Sequence, residues 1–266
     1  MKKLLTAVFL LLLVLVAVFT LSWSRWSYAA QDREAILAPT TAVHPAGTDE
    51  LGRDRLVRTA AALLIGLTGA TLAAAISIVV AAGVGLLAGF SPRWIAAALM
   101  FFSDGFLSLP WLFFLMMVRS LLPLTASPLM TAVTTFVVLA FLGWPAFARA
   151  IYRGALGMRG SEWMIQGRAS GLTTWQLMRL HVVPQLRSLI WPQFLICVPA
   201  FIMAEANLGA LGLGVGEPIP SWGAMLMELD NTALLVSSHW VYLPIALLVV
   251  VLMILESFAS EVKVYA

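Results

Sequence analysis

The sequence is short of charge and almost without cysteine. Only 11% of its 266 residues are charged, against roughly 25% in an ordinary soluble domain, which excludes a globule whose main solvent is water. The single cysteine, Cys197, lies in an apolar stretch. It rules out an internal disulfide or a thiolate metal cluster and reads as a small buried hydrophobe. Histidine is scarce as well, and His44, His181 and His239 fall in three separate segments, so neither a metal site nor a nucleophile triad is expected. No Gly-x-x-x-x-Gly-Lys-Ser/Thr run occurs, so Walker-type ATP binding by this chain is excluded. The glycines between Gly209 and Gly216 follow an apolar helical run rather than a strand, which argues against a dinucleotide loop. The formal charge of +3 is spread among apolar runs, not gathered on one polar face, so nucleic acid is not an expected partner.

What the chain has in quantity is apolar sequence, 61% of its residues. Crossing about 30 Å of hydrocarbon takes about 20 apolar residues in a helix, and six runs of that order can be traced. The first, Leu4 to Leu21, follows Lys2 and Lys3. It fits either a first membrane anchor or a signal peptide with a cleavage site near Ala29, and its length favours the uncleaved helix. The others lie near residues 60–90, 95–122, 129–147, 189–213 and 240–258. The third contains Asp104 and Pro110. Between the fourth and fifth runs, Arg149, Arg153, Arg159, Arg168, Arg179 and Arg187 accompany one acid, Glu162. Basic loops are retained in the cytoplasm, so both termini and the loop 149–188 are expected inside.

That loop carries helix signals. Ser161 is placed to cap a first short helix opening on Glu162, and Gly171 to end it in a left-handed turn. Thr173 and Gln176 form a Thr-x-x-Gln capping box for a second helix, and Pro184 is expected to close the segment. Two short helices joined at a glycine make a compact knob.

Three segments resemble one family. Ile165-Gln166-Gly167-Arg168-Ala169-Ser170-Gly171, with His181-Val182-Val183-Pro184 downstream, is similar to the Glu-Ala-Ala loop of type I ABC importer permeases, although Ile165-Gln166-Gly167 stands where the family has Glu-Ala-Ala. His44-Pro45-Ala46-Gly47-Thr48-Asp49-Glu50-Leu51-Gly52-Arg53-Asp54 resembles the loop after the first helix in the dipeptide, oligopeptide and nickel group. Ala204 to Val215, continuing through Pro220-Ser221-Trp222-Gly223, is similar to the same group's segment after the fifth helix. The resemblance, to the second or C-type permease of the pair, implies an all-α fold of six transmembrane helices in the bacterial cytoplasmic membrane. It implies an N-terminal helix and extracytoplasmic loop over residues 1–57 and a permease domain over residues 58–260. Peptides or a related solute such as nickel would be the cargo.

The implied partners are two ABC ATPases that bind the ATP, a second permease in a heterodimer, and an external substrate-binding protein, within a lipid bilayer. The residues implied to couple to the ATPase are Gln166, Gly167, Ala169, Gly171, Leu172, His181 and Pro184. No catalytic residue, metal or cofactor is expected in this chain. Asp104 and Glu205 are acids in apolar helices, where a carboxylate costs about 2.5 to 3.5 kcal/mol. Each is a candidate pathway-lining residue or a structural carboxyl satisfied between helices. Gly66, Gly69, Gly85 and Gly89 read as close helix-packing points, and Trp23, Trp26, Trp94, Trp144, Trp222 and Trp240 as anchors at the membrane edges. A secondary transporter with its own pathway, and less so a membrane-embedded enzyme, are the competing classes.

Overall fold

The computed structural model describes residues 2–121, 123, 126–231, 234–235 and 239–263. The fold is all-α. The long helices are α1 (Lys2–Trp23), α2 (Arg55–Phe90), α5 (Pro128–Arg159), α8 (Val183–Ala210) and α10 (Leu243–Lys263). Between them lie α3 (Arg93–Ser108), α4 (Trp111–Ser120), α6 (Glu162–Ala169), α7 (Thr174–Leu177) and α9 (Trp222–Leu226). Among the described residues, five helical stretches are long and apolar enough to cross a membrane: Leu4–Trp23, Arg55–Phe90, Pro128–Arg159, Thr174–Ala210 and His239–Ser260.

The third apolar run is two helices rather than one. Pro110 has no N–H to donate, and its ring drives Leu109 into extended backbone (φ −69°, ψ 130°). At 1.5 Å per residue α3 is about 24 Å long and α4 about 15 Å, so this crossing needs both pieces.

The centre is the α2–α5 pair, with α8 laid across both and α1 and α10 flanking. Glycine makes the central approach close, as the sequence predicts. A Cβ on Gly85 would stand 2.7 Å from the Ala148 carbonyl oxygen, and one on Gly89 2.5 Å from the Ala155 Cβ. Gly69 is covered by the Phe136 ring, and Gly66 by the Trp222 indole, whose Nε1 would be 2.6 Å from an added Cβ. In lipid such contact surfaces replace the hydrophobic drive that water would supply. Cys197 is buried in this core.

The tryptophan reading holds only in part. Trp23, Trp94 and Trp240 are exposed, but Trp144 and Trp222 are buried. Trp222 is carried inward because α9 folds back against the bundle, and Trp144 because it packs beside Phe106, 5.7 Å between ring centres. Trp26 sits on the His44 ring at 5.0 Å.

Candidate functional site

At one end of the bundle, α5 runs past the apolar sequence to Arg159. Residues 149–159 are therefore its last three turns and not an open loop, because hydropathy marks where lipid ends and not where a helix ends. The knob follows. Ser161 occupies the N-cap position of α6, but its hydroxyl donates to the Met158 carbonyl (2.7 Å) and does not accept from the helix. Gly171 has φ +84°, as its position after α6 requires. Leu172 N–H donates to Gly167 O (3.1 Å) and Gly171 N–H to Arg168 O (3.0 Å), the paired bonds of a Schellman turn. The capping box forms: Thr173 N–H donates to Gln176 Oε1 (2.8 Å) and Gln176 N–H to Thr173 Oγ1 (3.3 Å).

Pro184 does not close the segment. The chain from Thr174 to Ala210 is one 37-residue helical rod, with a π turn at Met178–Val182 in which Val183 N–H reaches back to Met178 O. The widened turn absorbs the bond that Pro184 cannot make. The knob is thus continuous with a spanning helix. It is also rooted on α5, because Met164, Leu177, Val182 and Leu186 share a buried cluster with Trp144, Ala148 and Ile151 of α5. Gly167 lies directly under Leu177, with no room for a Cβ, and Leu172 packs at the cluster's edge. Gln166, Ala169, Gly171, His181 and Pro184 face outward, His181 beside Trp163 with 5.6 Å between ring centres. Ile165 and Trp175 form an exposed apolar tip.

The opposite end joins the other two motifs. Asp54 caps α2, accepting from Val57 N–H at 2.9 Å, and its other oxygen lies 2.9 Å from His44 Nδ1. Asp32 stands 3.6 Å from the other ring nitrogen. Arg53 donates to Asp49 (2.6 Å) and to Glu217 (2.5 Å), Arg58 to Glu217 (3.0 Å), and Arg55 to Glu228 (2.9 Å). Asn231 Nδ2 donates to Glu50 Oε1 (3.0 Å). Asp49, Arg53, Arg58, Glu217, Glu228 and Asn231 border a cavity of about 590 Å³. Burial works to lower the Arg53 pKa, but the hydrogen bonds and charges of Asp49 and Glu217 outweigh it, and the net shift is upward. Burial raises the pKa of Glu228, with the Arg55 guanidinium opposing.

The glycines of the 204–223 motif serve this junction. Gly212 ends α8 with φ +72°, and Gly209, Gly214 and Gly223 let three stretches of backbone touch where any Cβ would collide. The junction was only half legible. Both motifs stand out in the sequence, whereas the pairing of Arg55 and Arg58 with Glu217 and Glu228 spans some 160 to 173 positions. The available signal was two arginines, three apart, opening an apolar helix.

The two intramembrane acids have different surroundings. Glu205 is 1% exposed, faces the first turn of α9, and neither of its oxygens completes a hydrogen bond among the described residues. Asp104 is half exposed on α3 and paired with the Arg149 guanidinium of α5. Sequence reasoning placed Arg149 in the loop and so missed this partner. Next to it, Ser103 Oγ donates to the Pro145 carbonyl at 3.0 Å.

These features define a polytopic helical membrane protein with a helical knob built onto its spanning helices. Residues 81–261 match the family model described as binding-protein-dependent transport system inner membrane component, and this chain belongs to that family. It is 32% identical over 202 residues to the dipeptide transport system permease protein DppC of Bacillus subtilis (strain 168), covering 76% of this chain and 61% of that protein. To the oligopeptide transport system permease protein OppC of the same strain it is 28% identical over 221 residues, 83% of this chain and 70% of the other. To the di/tripeptide permease DppC of Pseudomonas aeruginosa (strain UCBPP-PA14) it is 31% identical over 228 residues, 82% and 72%. The chain thus spans less than two thirds of the first of these relatives.

Proposed function

We propose that this chain is one of two permease subunits of an ATP-driven importer for peptides or similar small solutes. The observation that carries the reading is the knob: its tip is exposed and apolar at Ile165 and Trp175, while its root is packed into α5 and continuous with α8. A partner that moves the tip moves two spanning helices with it, and a bundle so coupled switches as rigid bodies between two states. Two separate ATPases bind the nucleotide and grip one knob each. The second permease completes the pathway, and an external binding protein delivers the solute to the end bearing residues 44–58 and 205–231.

In this reading both termini and the knob lie in the cytoplasm, and the chain itself does no catalysis. Gln166, Gly167, Ala169, Gly171, Leu172, His181 and Pro184 belong to the coupling knob, and Asp104 to the pathway. Glu205, turned toward α9, has a structural place instead. The peptide cargo is supported by the names of the relatives. Copurification tests the assembly: the tagged chain should bring down two ATPases and a second permease, and vesicles holding the four, supplied with the external binding protein, should take up peptide only with ATP. A lone homo-oligomer that transports on an ion gradient would overturn it.

A further inference from the structure

Asp104 lies eleven residues from the start of α3, and Arg149 ten from the end of α5. At 1.5 Å per residue each is about 15 Å along its helix from the knob-side end, Asp104 within one apolar run and Arg149 two residues past the end of another, at its membrane edge. Charged side chains there face protein or water rather than lipid, and they mark solute routes. The pair is open, with 51% of the Asp104 side chain and 34% of that of Arg149 exposed. The buried pairs at the other end of the molecule differ, since Arg58 and Asp49 are only 2% and 3% exposed.

The surroundings extend the same stripe. Leu107, one turn from Asp104, and Leu142, two turns from Arg149, line a cavity of about 320 Å³ between α3, α5 and α8. Its other walls include Phe106, Leu109 and Phe201. Next to the acid, Gly105 faces open space. An apolar groove therefore lies one to two helical turns from one carboxylate and one guanidinium.

From this geometry we infer that the Asp104–Arg149 pair is a binding site for zwitterionic solutes, Asp104 taking a free ammonium and Arg149 a free carboxylate. The inference rests on the permease reading and names the chemistry of its pathway. Breaking a half-exposed pair costs little, and a zwitterion replaces each lost partner with a charge of the same sign. The fork of Arg149 matches a carboxylate, and apolar walls strengthen the field between the charges.

The test uses the complete complex in proteoliposomes, with Cys197→Ala removing this chain's only native thiol, Gly105→Cys as a reporter beside the pair, and labelling read on this chain's band alone. A water-soluble maleimide should label the reporter. Dialanine at millimolar concentration should slow labelling at least fivefold, and N-acetyl-dialanine amide should not. Asp104→Asn or Arg149→Gln should each abolish the protection. A reporter that does not label, or that both peptides protect equally, overturns the site, and the comparison of free with capped peptide needs no change to either charged residue. ATP-driven dialanine uptake, measured in the same vesicles, separates the two readings. Uptake without protection removes this inference alone, whereas protection without uptake keeps the site and removes the ATP-driven permease.

Discussion

Two glycines four residues from each other in the knob's chain, Gly167 and Gly171, are required for opposite reasons. Gly171 holds φ +84° with nothing within 4 Å of where a Cβ would go. Only backbone strain opposes a side chain there, about 1–2 kcal/mol for an ordinary L residue and more for a β-branched one. Gly171→Asn should retain ATP-coupled uptake, since asparagine tolerates this conformation, while Gly171→Val should hydrolyse ATP with uptake reduced severalfold. Equal coupling in both variants would show that the turn is not under strain. At Gly167 the backbone is ordinary helix and space is the limit, because Leu177 occupies it. Gly167→Val should therefore separate α6 from α7 and weaken copurification of the ATPase, which Gly171→Asn leaves intact. The sequence makes Gly171 legible, for a glycine after a helix signals its end. It gives no such signal for Gly167, whose neighbour is ten positions on.

At the scale of elements, hydropathy and capping residues found the helices, and chemistry at their ends decided the rest. The break at Pro110 hides in an apolar run because lipid exposure is the same on both sides of it. The partners of the buried arginines of α2 are not legible locally, because nothing near them reveals acids in a segment that arrives from some 160 residues away. That segment is held by charge, and its response to mutation and pH follows. Glu217 serves both Arg53 and Arg58. Removing one partner of a buried pair costs about 3–5 kcal/mol, but Glu217 is itself half exposed. Glu217→Gln should then cost about 1–3 kcal/mol, read as a lower thermal midpoint in detergent.

Glu228 gives a pH dependence instead. Burial raises its pKa against the pull of Arg55. Between the ordinary glutamate range and that raised value the folded protein holds a proton that the unfolded chain has lost, so stability falls as pH rises across the window. Glu228→Gln should flatten that slope, and an unchanged slope would mean that another group titrates.

For the whole molecule, one expectation governs the rest: the knob and the 44–58 junction lie on opposite sides of the membrane, with the knob in the cytoplasm. The arginine count between the fourth and fifth apolar runs carries it, since basic segments are retained inside. The long helices make it testable, because α2 alone, at 36 residues, is about 54 Å long and keeps its two ends well apart. The single buried cysteine helps as well, for Cys197→Ala gives a thiol-free chain at the cost of a small cavity. Leu51 at the junction and Trp175 on the knob are both well exposed, so a cysteine at either should label without disturbing the core. In cells whose outer barrier is open, a membrane-impermeant maleimide should label Leu51→Cys at once and Trp175→Cys only after the inner membrane is permeabilised. The reverse pattern would put the knob outside, where no ATPase could reach it, and the coupling roles of residues 162–184 would fall together. Labelling of both at once would mean that an even number of crossings separates the two positions, and that α3 and α4 do not together make a crossing between α2 and α5.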